Sequence, residues 1–356
     1  MAKSLWPGTK TVILAAVCIC RLAGQGVLAS TIGGTPGAYL RSPAGADAYA
    51  RGGARTADPD YFAAWWNPAK LAVLKEKKLT LGGGIRSLGR TDGLAGWEFR
   101  IPPRAALGLA LLYRGDPFLK NLRDADEDHL EDGDYTTFTV KIGLAYRVSR
   151  KLAVGLSIGT YYQRLPTSYE LRNGELIYSS TTGIGGLDLA MRYEPFDKWV
   201  FAAALKGIIA GMDWEITGHS ELNAHVKDRF VPTLTFASEY HGKLVDKPFI
   251  WSCDLVTYLM DGAWSKLDHP EVVLNNGFEW RGWKTFWIRA GLRDIAINGE
   301  LLKKRDDFLR RNGFAVTTGF GLDLSNQVDG LVLNWAFATD KVWAGVETQL
   351  DAVLSF

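Results

Sequence analysis

From residue 78 to the end at Phe356, apolar and polar residues take turns in fourteen short segments. The last of them shows the pattern plainly. Val342, Ala344, Val346, Thr348, Leu350, Ala352, Leu354 and Phe356 share one face, while Trp343, Gly345, Glu347, Gln349, Asp351 and Ser355 share the other. A period of two belongs to a strand whose two sides meet different surroundings. The segments lie at about 78–88, 93–101, 104–114, 134–148, 151–163, 181–193, 199–210, 230–241, 248–259, 271–281, 284–293, 312–324, 327–339 and 342–356.

The connections between them alternate in length. Those after even-numbered segments are terse: Pro102-Pro103, Ser149-Arg150, Glu194 to Lys198, Gly242 to Lys247, Gly282-Trp283 and Ser325-Asn326. Most of those after odd-numbered segments are long, as at 115–133, 164–180, 211–229, 260–270 and 294–311. In hydrocarbon every backbone N–H and C=O must find a partner within the protein. A chain without a run of about 20 apolar residues therefore crosses a bilayer only as a closed sheet. The pattern predicts an all-β fold, a transmembrane antiparallel β-barrel of about 14 strands in the bacterial outer membrane. Short turns and both chain ends face the periplasm, and long loops face outward.

Alternation assigns the faces. Leu107, Leu109, Leu111 and Tyr113 point to lipid, and Ala106, Gly108, Ala110 and Arg114 point inward. Leu187, Leu189, Met191 and Tyr193 oppose Gly186, Asp188, Ala190 and Arg192 in the same way, as Phe286, Ile288, Ala290 and Leu292 oppose Trp287, Arg289, Gly291 and Arg293. A one-residue slip would push these charges into lipid at about 2 to 4 kcal/mol each, so the register is strongly specified. Tyr146, Tyr193, Trp199, Tyr240, Trp251 and Trp280 gather beside the short turns as an aromatic girdle.

Composition agrees with one barrel domain over 78–356. Thirty-nine glycines, 13 Trp, 13 Tyr and 16 Phe accompany a mean hydropathy of −0.05, as expected when half of each strand meets lipid and half a polar lumen. Residues 1–29 have the form of a secretory signal. Lys3 and Lys10 precede the apolar stretch Thr11 to Cys20, and Val27-Leu28-Ala29 precedes Ser30 as a cleavage site. Removing Lys3, Lys10 and Arg21 from the 41 basic residues leaves 38 against 39 acidic ones, a balance that gives no reason to expect nucleic acid. Only Cys253 then remains, which excludes an intramolecular disulfide.

Residues 30–77 precede the first strand and combine Gly33-Gly34, Pro36, Pro43 and Gly52-Gly53 with Tyr61, Phe62, Trp65 and Trp66. Aromatic side chains of that size need a place to bury, and the lumen is the host within this chain. The segment is therefore expected to be an N-terminal lumenal plug, with small inward residues such as Gly108, Ala110, Gly155 and Gly159 giving it room. Asn67-Pro68 reads as a turn, because proline fixes φ and biases Asn67 away from the helical region while its amide bonds backbone. The plainest role of Trp65 and Trp66 is as packing anchors, and a platform for a hydrophobic ligand is the alternative.

The run from Ala57 to Ala72 resembles the N-terminal plug signature of the FadL-type outer-membrane transporters and their PorV/PorQ relatives, where an aromatic precedes Asn-Pro-Ala-Gly-Leu-Ala just before the first barrel strand. Trp66-Asn67-Pro68-Ala69 and Leu71-Ala72 match, and Lys70 replaces the usual glycine. The resemblance covers the whole mature chain in architecture and about fifteen residues in motif. It implies a fourteen-stranded barrel closed by an N-terminal hatch that takes up long-chain fatty acids or other hydrophobic molecules. PorV-like members instead serve type IX secretion by binding secreted cargo, so the alternative is an accessory protein with envelope or secretion-system partners. Tyr61, Phe62, Trp65, Trp66, Asn67 and Pro68 are the expected plug and ligand-binding residues, with outer-membrane lipids around the barrel.

Arg86, Glu98, Arg100, Lys141, Asp188, Arg192, Lys206, Glu239, Asp254, Glu279, Arg289, Arg293, Asp323, Glu347 and Asp351 are expected to point inward and pair with one another or with the plug, since buried charges are costly unless paired. Their mixed signs argue against strong ion selectivity. His129, His219, His225, His241 and His269 scatter through loops and turns, and no zinc-protease, nucleophile-elbow or phosphate-loop pattern appears. The expectation is a non-enzyme without a cofactor. The acidic run Asp124 to Asp134 reads as a solvated loop, with calcium or lipopolysaccharide bridging as the alternative.

Overall fold

A computed structural model of the chain describes residues 37–119, 133–169, 176–217, 225–259, 271–297, 314–339 and 345–356. The signal-like residues 1–29, the acidic run as far as Asp132, and His129, His219 and His269 lie outside them. Sixteen strands follow one another: β1 Lys78–Ile85, β2 Thr91–Ile101, β3 Ala105–Leu119, β4 Gly133–Arg147, β5 Leu152–Tyr169, β6 Leu176–Phe196, β7 Trp199–Lys206, β8 Gly211–Thr217, β9 His225–Arg229, β10 Thr233–Leu244, β11 Lys247–Tyr258, β12 Glu271–Trp280, β13 Phe286–Ala296, β14 Ala315–Asp323, β15 Leu331–Thr339 and β16 Val346–Ser355. Fourteen of them form an antiparallel barrel in which each pairs with its neighbours around the ring and β1 pairs with β16. Each coincides with one of the fourteen alternating segments.

The remaining two strands are a correction. The stretch 211–229, expected to be loop, forms the hairpin β8–β9, and β8 pairs with the outer end of β6 from Tyr178↔Thr217 to Thr182↔Asp213. The reason is the length of β6, which begins at Leu176 rather than near 181. Strand β7 covers it only as far as Leu189, so the exposed outer edge takes a second partner, as unpaired edges do. The chain between β7 and β8 closes the gap, with Gly207 N donating to Asp188 Oδ1 at 2.9 Å and Ile208 N to Leu187 O at 3.1 Å.

The faces follow the alternation. Leu81, Ile142, Ile158, Leu189, Ile288 and Leu350 are exposed on the outer wall, while Arg114, Asp188, Arg192, Arg289 and Asp351 are buried inside. A closed sheet wearing such an apolar belt is a bacterial outer-membrane barrel. The girdle forms at the short-turn end, where Trp199 packs on Tyr240 at 4.9 Å and edge-on to Trp251 at 6.4 Å. At the same end Lys77 and Phe356 exchange backbone hydrogen bonds of 3.0 Å, joining the start of the barrel to its last residue.

Residues 37–77 run through the space the strands enclose. They form a 3₁₀ turn at Ala38–Arg41, helix α1 at Ala46–Ala50, helix α2 at Ala63–Trp66 and a 3₁₀ turn at Pro68–Val73. The wall meets them with glycine and alanine. Leu71 and Ala64 rest on Gly108 and Gly143, Pro68-Ala69 on Gly155, and Phe62 on Gly96, beside the buried Ala106, Ala110, Ala145 and Ala153. Across the lumen, Arg51-Gly52 lies over the paired Gly277 and Gly291, and Ala50 over Gly319. Gly159 and Gly186 instead make room for the Tyr161 ring. One half of the lumen is thus an apolar seat and the other an ionic one.

Candidate functional site

The Asn-Pro pair works as the sequence implies. Buried Asn67 has an extended backbone, accepts from Ala69 N at 3.0 Å and donates Nδ2–H to the Thr56 carbonyl at 2.8 Å. It caps the turn that Pro68 begins and ties it to the irregular stretch before α2. Asn67 and Pro68 are therefore lodged in the packed seat. Phe62 also lies in that seat, in the left-handed region at φ 60°, stacked on Trp65 at 5.9 Å.

Trp65 and Trp66 occupy a different place. They line a cavity of about 120 Å³ that extends toward the long-connection end, with Phe230, Tyr258, Leu40 and Val256 among its other apolar surfaces. Lys141 Nζ stands 4.9 Å from the Trp65 ring and Lys206 Nζ 5.4 Å from the Trp66 ring, within cation–π range. Lys141 is paired with Asp188 at 2.5 Å, whereas Lys206 donates to the Trp65 carbonyl at 3.1 Å. Trp66 Nε1 donates to Ala44 O at 3.1 Å, which fixes the indole with its face toward the cavity. Tyr61 sits apart from both, donating to Asp351 and accepting from Asp47 N at 3.0 Å. It borders a separate cavity at the short-turn end. The six expected residues thus divide: two at the outer cavity, one at the inner mouth, three in the seat.

Below the outer cavity, charges lock α1 to the wall. Arg55 reaches Asp47 at 2.6 Å, Asp60 at 3.0 Å and Glu239 at 3.3 Å, and Arg51 reaches Asp47 at 3.0 Å. Arg289 joins Glu279 at 2.7 Å to Asp47 at 3.1 Å, and Arg293 pairs with Glu347 at 3.2 Å. Asp60 is held well below the usual carboxylate range, since Arg55 and Arg51 outweigh the cost of its burial. Most of the charges that alternation turns inward do pair with the wall or the lumenal segment. Arg100 is the exception, standing exposed at the rim, and Asp323 accepts from Ser325 N at 2.9 Å in the short turn.

Three wall carboxylates have no basic partner within salt-bridge distance among the described residues. Glu98 accepts from Ala63 N, Asp254 from Thr56 N at 2.9 Å, and Asp351 from Ala46 N at 2.5 Å. Alternation placed them inward, but only three-dimensional pairing reveals that each holds a backbone amide of the lumenal segment. His241 Nε2 lies 3.1 Å from Glu239 Oε1, with Asp58 alongside.

Solved structures with the same fold include the CymD monoaromatic hydrocarbon channel, at 15% identity and a TM-score of 0.55 over 88% of this chain and 97% of that one. The Ralstonia pickettii toluene transporter TbuX gives 16% and 0.53 over 88% and 97%, and a Pseudomonas aeruginosa FadL homologue 12% and 0.52 over 88% and 99%. No protein-family model and no curated protein sequence matches the chain. The likeness establishes a FadL-type barrel fold. These neighbours are channels and transporters rather than enzymes, and they lend the PorV-like alternative no support.

Proposed function

We propose that the chain is an outer-membrane channel for small hydrophobic molecules, with residues 30–77 as its plug and 78–356 as its barrel. The observation that carries this reading is the cavity faced by Trp65 and Trp66, set between plug and wall in a barrel whose structural neighbours are described as hydrocarbon channels and toluene transporters. Indole faces offer large apolar area at little entropic cost, and the capped turn behind them holds them still. A molecule arriving from the long-loop side meets this surface first, and the ionic layer around Arg51 and Arg55 bars ions beneath it.

Uptake of a labelled monoaromatic hydrocarbon by cells making the protein tests the reading. Wild type should speed uptake over cells without it, and Trp66→Ala should slow it while the heat-resistant barrel persists. Equal uptake with and without the protein refutes it. Planar-bilayer recordings should show low ion conductance for the full chain and a large rise when residues 31–70 are deleted.

A further inference from the structure

The cavity at the short-turn end is separate from the Trp65–Trp66 site and larger, about 540 Å³, within the size range of small-molecule sites. It lies among the β10–β11 and β12–β13 turns, the start of β1, the end of β16, and Asp60-Tyr61. Its charge is lopsided. Lys78, Lys247, Arg281, Lys284 and Arg289 line it, against Asp60 and Asp323. Both acids are occupied, Asp60 by Arg55 and Arg51, and Asp323 by the Ser325 amide. Arg281 and Arg289 share Glu279 at 2.6 and 2.7 Å, and Lys78 donates to the Asp60 carbonyl. Lys284 acts on Asp323 electrostatically without coming within salt-bridge distance, and Lys247 has no carboxylate within that distance among the described residues.

Two indoles stand between these cations. The Arg281 and Arg289 guanidiniums, joined through Glu279, both lie over the Trp287 ring at 5.4 and 5.6 Å, and its buried Nε1–H has no acceptor among the described residues. Gly321 allows the ring this position, since a Cβ there would stand 1.9 Å from Nε1. Trp283 is exposed on the rim, edge-on to Trp280 at 5.3 Å. A pocket with surplus positive charge and flat apolar walls fits one ligand chemistry.

We propose that the periplasmic mouth is a second binding site, for small organic anions with an aromatic or apolar body, in which Lys247 and Lys284 hold the anionic group and Trp283 and Trp287 flank the body. The site is on the far side of the plug from the Trp65–Trp66 cavity and does not require passage through the barrel.

The probe is 2-naphthoate, with neutral 2-naphthalenemethanol as its match, titrated calorimetrically into the full chain in nonionic detergent. Naphthoate should bind more tightly than the alcohol and lose affinity as salt rises. The double substitution Lys247→Gln/Lys284→Gln should weaken naphthoate roughly tenfold, the effect of two partly exposed ion pairs, and leave the alcohol unchanged. Trp66→Ala should leave naphthoate binding intact, which separates this site from the outer cavity. Heat-modifiable migration confirms that each variant is folded. Equal affinity for acid and alcohol, or no response to the double substitution in folded protein, overturns the proposal. Displacement of naphthoate by phosphatidylglycerol in the micelle also overturns it, by making the site a lipid-headgroup contact.

Discussion

Lys70 Nζ lies 2.6 Å from Asp58 Oδ1, and Arg192 of strand β6 reaches the same oxygen at 2.8 Å. Lys70 stands where the FadL-type plug signature carries glycine, so the departure from that pattern has a structural use. It completes a clamp in which a lumenal carboxylate is shared between its own segment and the wall. Burial pushes the Asp58 carboxyl up, but Lys70 and then Arg192 more than offset it and hold it at about 2.

A carboxyl held down in the folded state stabilises it above the unfolded value near 4, and that contribution is lost as pH falls through the folded value. Seating of the plug through this clamp should therefore be constant from pH 7 to about 4 and weaken between about 4 and 2. Lys70→Ala removes one of the two cations, so release should begin at a higher pH. Protease cleavage within residues 37–77, followed against pH in both proteins, reads this directly. Coincident curves would show that Lys70 does not hold Asp58.

Trp66 and Asn67 are adjacent in sequence but should give separable phenotypes. Asn67→Ala loses a donor to Thr56 O and an acceptor for Ala69 N inside a dry seat, a cost of about 2 to 4 kcal/mol to docking from the groups left unpaired. Trp66→Ala removes an indole face from the cavity and one bond to Ala44 O. Ion conductance should rise in Asn67→Ala, whereas Trp66→Ala should lose a bound apolar molecule with its conductance still low. Lipid extraction and bilayer recordings on the same preparations compare the two.

Glu98, Asp254 and Asp351 should act as independent latches, because they sit on β2, β11 and β16 and hold different amides of the lumenal segment. Single amide substitutions such as Asp254→Asn keep an acceptor oxygen and should cost about 1 kcal/mol or less each, on the scale of a charged bond exchanged for a neutral one. Combining all three should be close to additive, since well-separated sites add. Hydrogen exchange at Ala46, Thr56 and Ala63 is the readout, and protection unchanged in the triple variant would remove the latch reading.

The barrel was legible because its signal is local and redundant. In β3 and β13 most outward Leu and Ile residues are followed by an inward charge or small residue, as at Leu107-Gly108, Leu109-Ala110, Ile288-Arg289 and Leu292-Arg293, and the fourteen segments all became barrel strands. The β8–β9 hairpin was not, since Gly211–Thr217 is short and its partner is the outer end of β6, far away in sequence. Lone motif residues were legible only in kind. Asn67 reads as a turn former from its chemistry, but that Trp65 and Trp66 face a cavity while Phe62 faces Gly96 depends on a left-handed residue at Phe62 that no pattern announces. Glu98 and Asp351 alternate inward like any lumen charge, and their service to backbone amides emerges only once the segment is threaded past them.

Gly155 gives the sharpest test of that threading. A Cβ there would stand 2.3 Å from Ala69 N and 2.5 Å from the Pro68 carbonyl carbon, both backbone atoms of the capped turn. Gly159, four residues along the same strand, would place its Cβ 2.7 Å from the Tyr161 hydroxyl, the far end of a side chain. A ring can swing away, whereas the Pro68-Ala69 backbone is fixed by proline and by Asn67. Gly155→Ala should thus unseat the turn at a cost of about 1 to 3 kcal/mol, the usual range for overpacking, and Gly159→Ala should cost less. Single-channel conductance should rise in the first variant and stay near wild type in the second. A closed Gly155→Ala channel would mean that the turn does not bear on β5, and the seat drawn here for the plug would be wrong.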